Sequence, residues 1–147
     1  MSALTPLPRL HVLLVDDDAR TTQQLARMLR DDGYEVDVET DGVKARERLE
    51  REPTLDALVT DLQMPRASGA SLARLARAQH EGLPVIVVTG YPNLAVPLEH
   101  EMTPPPFVLT KPLVYEELYA LLQGVDEARA SAGKRALDST PTVDTST

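Results

Sequence analysis

Four short apolar runs end in polar residues that could do chemistry together: Val15 leads into Asp16 and Asp17, Thr60 into Asp61, Val88 into Thr89, and Thr110 into Lys111. Carboxylates, a hydroxyl and an ammonium from four separate runs outline an acidic metal pocket. In an open parallel α/β sheet, ligands bind at the carboxyl ends of the strands where the strand order reverses. Such a sheet would deliver all of these side chains to one crevice.

The elements that must position them alternate. Leu10 to Val15 is a continuous apolar run of strand length, and Asp18 to Asp32 carries Leu25, Ala26 and Leu29 at helical spacing. Asp18 stands where an N-cap belongs and Gly33 where a left-handed stop is expected. Tyr34 to Glu39 alternates apolar and charged residues as an edge strand does, and Asp41-Gly42 opens a second helix to Arg51. Leu55 to Thr60 reads as a third strand, Ser68 to His80 as a third helix, and Pro84 to Val88 as a strand buried on both faces.

The segment from Asn93 to Glu101 should supply a fourth helix, but Pro97 falls inside it, so a short or kinked element is expected. Met102 to Pro106 is extended and stiff. Phe107 to Thr110 makes a fifth strand and Val114 to Val125 a last helix through Leu118, Leu121 and Leu122. Apolar periodicity stops beyond Ala128, which assigns residues 128–147 to a disordered tail, residues 1–9 to an arm and residues 10–127 to one domain. Five β/α alternations imply right-handed crossovers with helices on both faces. The second strand ends in no candidate residue, which fits the order 2-1-3-4-5 of flavodoxin-like three-layer folds.

The chain has 147 residues, a net charge of −8 and no cysteine. That length sustains a core without disulfides or structural zinc, and the missing Cys excludes thiol chemistry. The acidic balance argues against a nucleic-acid partner, whose binding depends on Lys and Arg. No run is long enough to span a membrane, and the amino-terminal segment has no apolar core of a signal peptide, so a cytoplasmic location is expected. His11, His80 and His100 match no zinc or phosphohistidine spacing and read as structural or surface residues. There is neither a P-loop nor a G-x-G-x-x-G turn, and Asp61-Leu62-Gln63 lacks the second carboxylate an aspartate-based phosphatase wants as general acid.

Leu14-Val15-Asp16-Asp17, Asp61-Leu62-Gln63-Met64-Pro65 with Gly69, Val88-Thr89-Gly90 and Leu109-Thr110-Lys111-Pro112 together resemble the receiver domain of two-component response regulators. The similarity spans Leu10 to Gly124, with four motifs in the right order, each closing a strand. The resemblance implies a phosphorylatable domain rather than an enzyme, with Mg²⁺ as cofactor and a histidine kinase or histidine phosphotransfer protein as donor. It makes Asp61 the phosphoacceptor, Asp17 a direct metal ligand, Asp16 a ligand through water, and the Gln63 backbone carbonyl a further ligand. Lys111 would pair with the phosphoryl oxygens, Thr89 would donate its hydroxyl to them, and the Lys111–Pro112 bond would be cis. Asp18 is left to helix capping.

Two departures bear on output. Many receivers carry an aromatic residue three positions before the lysine, where this chain has Val108; Phe107 beside it points to the other face and cannot simply replace the ring. The segment around Pro97 also alters a surface that receivers use for partners. Too few residues follow the last helix for an output module, which leads to the expectation of a stand-alone receiver that switches contact with a protein target. The alternative is a receiver-like module that binds its partner constitutively, without phosphorylation.

Overall fold

A computed structural model describes residues 10–52, 54–64 and 68–139, with side chains through Ser131. Five parallel strands, β1 (His11–Val15), β2 (Glu35–Glu39), β3 (Ala57–Asp61), β4 (Val85–Thr89) and β5 (Phe107–Thr110), lie in the order 2-1-3-4-5. Five helices connect and flank them: α1 (Ala19–Asp31), α2 (Gly42–Arg51), α3 (Gly69–Gln79), α4 (Val96–Glu101) and α5 (Tyr115–Ser139), with a 3₁₀ turn over Pro92–Ala95 before α4.

The strands buried on both faces are those with continuous apolar runs, since β1, β3 and β4 are buried at every position. Alternation then sorts their side chains into two cores. Leu13, Val15, Leu58, Val85 and Val87 meet α2, α3 and α4 through Ala45, Leu49, Leu72, Ala76 and Leu98. On the opposite face Val12, Leu14, Val59 and Ile86 meet α1 and α5 through Ala26, Leu29, Leu118 and Leu122. Each fully buried leucine contributes about 1.5–3 kcal/mol over an exposed one. These two cores fix the strand ends relative to one another and thereby the site.

Local signals set where the helices begin. The Asp18 carboxylate accepts from the Thr21 amide, Asp41 from the Val43 amide and Ser68 from the Ser71 amide. Gly33 stops α1 at φ 98°.

The fourth helix is short as expected, though Pro97 acts differently, and the end of the last helix changes. Pro97 does not interrupt a helix, because it lies in the first turn of α4, where its missing N–H would have had no intrahelical acceptor. The element has six residues and follows directly on the 3₁₀ turn over Pro92–Ala95. The last helix does not end near Val125 but runs to Ser139, so the disordered tail expected from residue 128 is helical through 139. Asp126 to Ser139 holds four Ala and two Arg with one each of Glu, Lys and Leu, good helix formers that need no apolar stripe. Residues 1–9, Pro65 and residues 140–147 lie outside the described residues. Among the described residues no helix is long and apolar enough to cross a membrane.

Candidate functional site

β1 delivers Asp16 and Asp17 just past its last residue, and β3 ends on Asp61 itself. The sheet pairs β1 directly with β3, so these ends are neighbours. One carboxylate oxygen from each of the three aspartates lies within 4.8 Å of the others. Asp61 is 6% exposed and Asp16 9%, whereas Asp17 faces solvent.

Lys111 reaches the same place from the end of β5. Its Nζ donates to Asp61 Oδ2 at 2.9 Å and stands 3.8 Å from Asp16 Oδ2. The Lys111–Pro112 peptide that follows is cis, as is Thr103–Pro104, which the sequence did not announce. Burial alone would pull the Lys111 ammonium below its ordinary pKa, but the hydrogen bond to Asp61 and the charges of Asp16, Asp61 and Asp17 raise it above that value. For Asp16 burial wins: it pushes the carboxyl up against the opposing effects of the Asp18 amide, which donates to Oδ1 at 2.9 Å, and of Lys111.

One ammonium does not neutralise three carboxylates. The remaining negative charge, carried entirely on oxygen donors, matches a hard divalent cation such as Mg²⁺, which takes carboxylates and keeps several waters. The exposure of Asp17 leaves room for those waters.

The other expected residues fall into distinct places. Gln63 is exposed, and its amide donates to Asp61 Oδ1 at 3.3 Å, which ties the loop to the carboxylate beside its own carbonyl. Thr89 ends β4, one residue beyond Val88, the register partner of Asp61. It is buried, and its Oγ1 accepts from the Tyr91 amide at 3.0 Å, which leaves the hydroxyl proton free to donate. Thr89 makes no side-chain hydrogen bond to Asp61 or Lys111. Asp18 accepts from the Thr21 hydroxyl and amide at 2.8 and 3.2 Å, and these bonds, the hydroxyl's first, hold its carboxyl below the ordinary value. It is a cap.

Sequence reasoning placed Gly69 in the motif without a role. A Cβ on Gly69 would stand 2.0 Å from the Asp61 carbonyl oxygen and 2.8 Å from Leu62 Cα, and its amide donates to the Leu62 carbonyl at 2.9 Å. The start of α3 is therefore seated on the backbone of Asp61, an approach only glycine allows. Thr22, buried in α1, carries no sequence signal for the site: its hydroxyl donates to the Asp18 carbonyl at 2.5 Å and lies 3.3 Å from the Asp16 carbonyl. A cleft of about 410 Å³ opens from Asp16, Asp61 and Lys111 along Thr21, Gln24 and Met28 of α1 to Tyr115 of α5. Tyr115 closes its far end by donating to Asp32 Oδ2 at 2.5 Å.

A doubly wound 2-1-3-4-5 sheet with an acidic pocket and a lysine at its carboxyl end defines the flavodoxin-like receivers. Residues 12–123 match the family model of the response regulator receiver domain, and the chain belongs to that family. Response regulator MprA of Mycobacterium leprae (strain TN) is 34% identical over 116 residues, 79% of this chain and 50% of that protein. The chain thus spans about half the length of the curated relatives it matches. Among solved structures, a response regulator receiver protein from Sinorhizobium medicae WSM419 has a TM-score of 0.73 at 27% identity, covering 84% of this chain and 99% of that one. The chemotaxis response regulator CheY4 of Vibrio cholerae has a TM-score of 0.70 at 27% identity, covering 80% and 98%. Receiver domains are phosphorylation-dependent signalling modules rather than enzymes, they work with histidine kinases, and they typically bind Mg²⁺ at an acidic pocket.

Proposed function

We propose that this chain accepts a phosphoryl group on Asp61 from a histidine kinase or histidine phosphotransfer protein and uses it to switch a protein contact. The observation that carries this reading is the 2.9 Å pair of Lys111 Nζ and Asp61 Oδ2 inside a cluster of three carboxylates. A nearly buried carboxylate held by a fixed ammonium is oriented for attack, and the same ammonium can follow the charge as it moves onto the phosphoryl oxygens.

An oxygen of Asp61 attacks phosphorus; the donor's P–N bond breaks as the aspartyl P–O bond forms, and the imidazole leaves with the electron pair and takes up a proton. Asp16, Asp17, Asp61 and the Gln63 carbonyl would hold Mg²⁺. Bound there, the ion supplies charge neutralisation between the carboxylates and the incoming phosphoryl group. Lys111 steadies the phosphoryl oxygens from the other side. Thr89 retains its Tyr91 hydrogen bond as acceptor and donates its free proton to the new group.

Output then differs from receivers that turn an aromatic ring inward. Val108 packs against the α2–α4 core, and Phe107 lies on the other face, 43% exposed. A contact switched at the Tyr91-to-Glu101 segment suits this chain, since Tyr91, Leu94 and Val96 are exposed there and the Tyr91 amide is tied to Thr89.

Incubation with acetyl phosphate and Mg²⁺, read by intact mass, tests the reading. Wild type is expected to gain one phosphoryl group only when Mg²⁺ is present, and Asp61→Asn to gain none. A wild-type protein that stays unmodified under both conditions would leave constitutive binding as the function.

A further inference from the structure

A second concavity lies at the amino-terminal end of the sheet, away from the carboxylates. It holds about 680 Å³, within the range of roughly 300–1,000 Å³ typical of small-molecule sites. Leu10, Leu55, Leu83, Phe107, Leu121 and Val125 give it largely apolar walls.

Three features of these walls bear on what could enter. Gly124 lines the cavity from within α5, where glycine is a poor helix former, yet a Cβ placed on it would meet nothing within 4 Å. Gly124 is exposed, so a side chain there would project without obstruction into the mouth of the cavity. Arg77 lines the same cavity, and its Nε donates to the Leu83 carbonyl, but its guanidinium has no carboxylate partner among the described residues. Burial alone lowers its pKa, with no opposing charge to offset it. His80, also on the wall, has an Nε2 shielded from solvent and without a hydrogen-bond partner. Of the two carboxylates on the wall, Glu81 is exposed to solvent, and Asp56 is already engaged by the His11 amide at 2.8 Å and by Arg129 at 3.2 Å.

We propose that this cavity binds a small apolar monocarboxylate, its hydrocarbon part lying between Phe107, Leu121 and Gly124 and its carboxylate pairing with Arg77. The walls favour burial of a hydrocarbon, and Arg77, which has no carboxylate partner among the described residues, selects an anionic head over a neutral one. Residues from both cores converge here, because β5, α5 and the α3–β4 connection all contribute. Occupancy does not require phosphorylation.

The test is a titration of the full chain with octanoate and, separately, with 1-octanol, followed by backbone amide chemical shifts. Octanoate is expected to move the Leu83, Phe107 and Gly124 amides saturably while those of Asp16 and Asp61 stay in place. Arg77→Gln should weaken octanoate roughly tenfold, the loss of one charge-assisted hydrogen bond, and leave octanol nearly unchanged. Gly124→Leu, which fills the cavity while improving helix propensity, should abolish both, with acetyl phosphate labelling intact in each variant. Equal binding of octanoate by wild type and Arg77→Gln overturns the proposal, as does a shift pattern centred on Asp61 or no saturable shift at all. Shifts of the same amides on raising protein concentration without ligand would assign the cavity to a second copy of the chain and overturn it equally.

Discussion

Gly69 sits so close to Asp61 that a single added methyl would stand 2.0 Å from the Asp61 carbonyl oxygen. The amino end of α3 and the end of β3 are thereby locked as one unit, and the carboxylate projects from a backbone that cannot drift. The obstruction is backbone rather than a flexible side chain, so it cannot turn aside.

Gly69→Ala should therefore cost about 1–3 kcal/mol of stability, the usual range for overpacking, and slow acetyl phosphate labelling by displacing Asp61. Urea denaturation and labelling rates measure the two effects. An unchanged midpoint with unchanged labelling would show that α3 can move away freely.

Asp16→Asn separates stability from metal binding. The folded state raises the Asp16 pKa, chiefly by burial, so ionisation costs stability once pH exceeds the unfolded carboxyl value and continues to do so at neutral pH. The amide oxygen of asparagine can still accept from the Asp18 amide. The variant should melt higher than wild type without Mg²⁺ and show little of the stabilisation that Mg²⁺ gives wild type. A lower melting temperature would refute the cost assigned to the buried charge.

Lys111→Ala removes the cation that competes with a metal for Asp61 and Asp16. Magnesium affinity, measured by calorimetry, should tighten by up to about fivefold, since a partly exposed ion pair is worth up to about 1 kcal/mol. Labelling should fall at the same time, because the ammonium no longer balances the phosphoryl oxygens. Weaker magnesium binding in this variant would contradict the geometry of the pair.

His11 offers a pH test far from the carboxylate cluster. Burial lowers its pKa, but the Asp37 carboxylate at 2.6 Å, with Glu35 and Glu52, raises it overall above the ordinary 6.5. A raised histidine stabilises the fold fully below the unfolded value and loses that contribution as pH rises through the folded value. Asp37→Asn should thus destabilise more at pH values near or below about 6.5 than in mildly alkaline buffer. The pH-independent part of the loss belongs to the Arg48 contact of Asp37 at 3.4 Å. Equal destabilisation at both pH values would remove His11 from the account.

Pro97→Ala distinguishes a helix start from a helix break. Proline in the first turn forfeits no intrahelical hydrogen bond, so the change should alter stability by no more than about 1 kcal/mol, mostly through the unfolded chain. A gain near 3 kcal/mol would instead mark a proline in a helix interior.

The sequence by itself determined the alternation of five strands and helices, because continuous apolar runs and helical spacing are local properties that survive without neighbours. It determined which residues close the strands, and hence that Asp16, Asp17, Asp61 and Lys111 would share one end of a parallel sheet. Local patterning misled where its criterion was the wrong one. Past Ala128 the apolar stripe fades, but the helix persists on intrinsic propensity, and Pro97 reads as a breaker unless the start of its helix is known.

Only the tertiary structure decided the distances. That Lys111 takes Asp61 at 2.9 Å, that Asp16 is buried while Asp17 is wet, and that Gly69 rests on the Asp61 backbone all depend on strand order and helix seating. These follow from two packed cores pressing on a sheet whose neighbours are distant in sequence, and no local pattern encodes such contacts. The open space beside Gly124 is of the same kind: a glycine in a helix is visible in the sequence, but the cavity it faces exists only once α5, β5 and the α3–β4 connection have met.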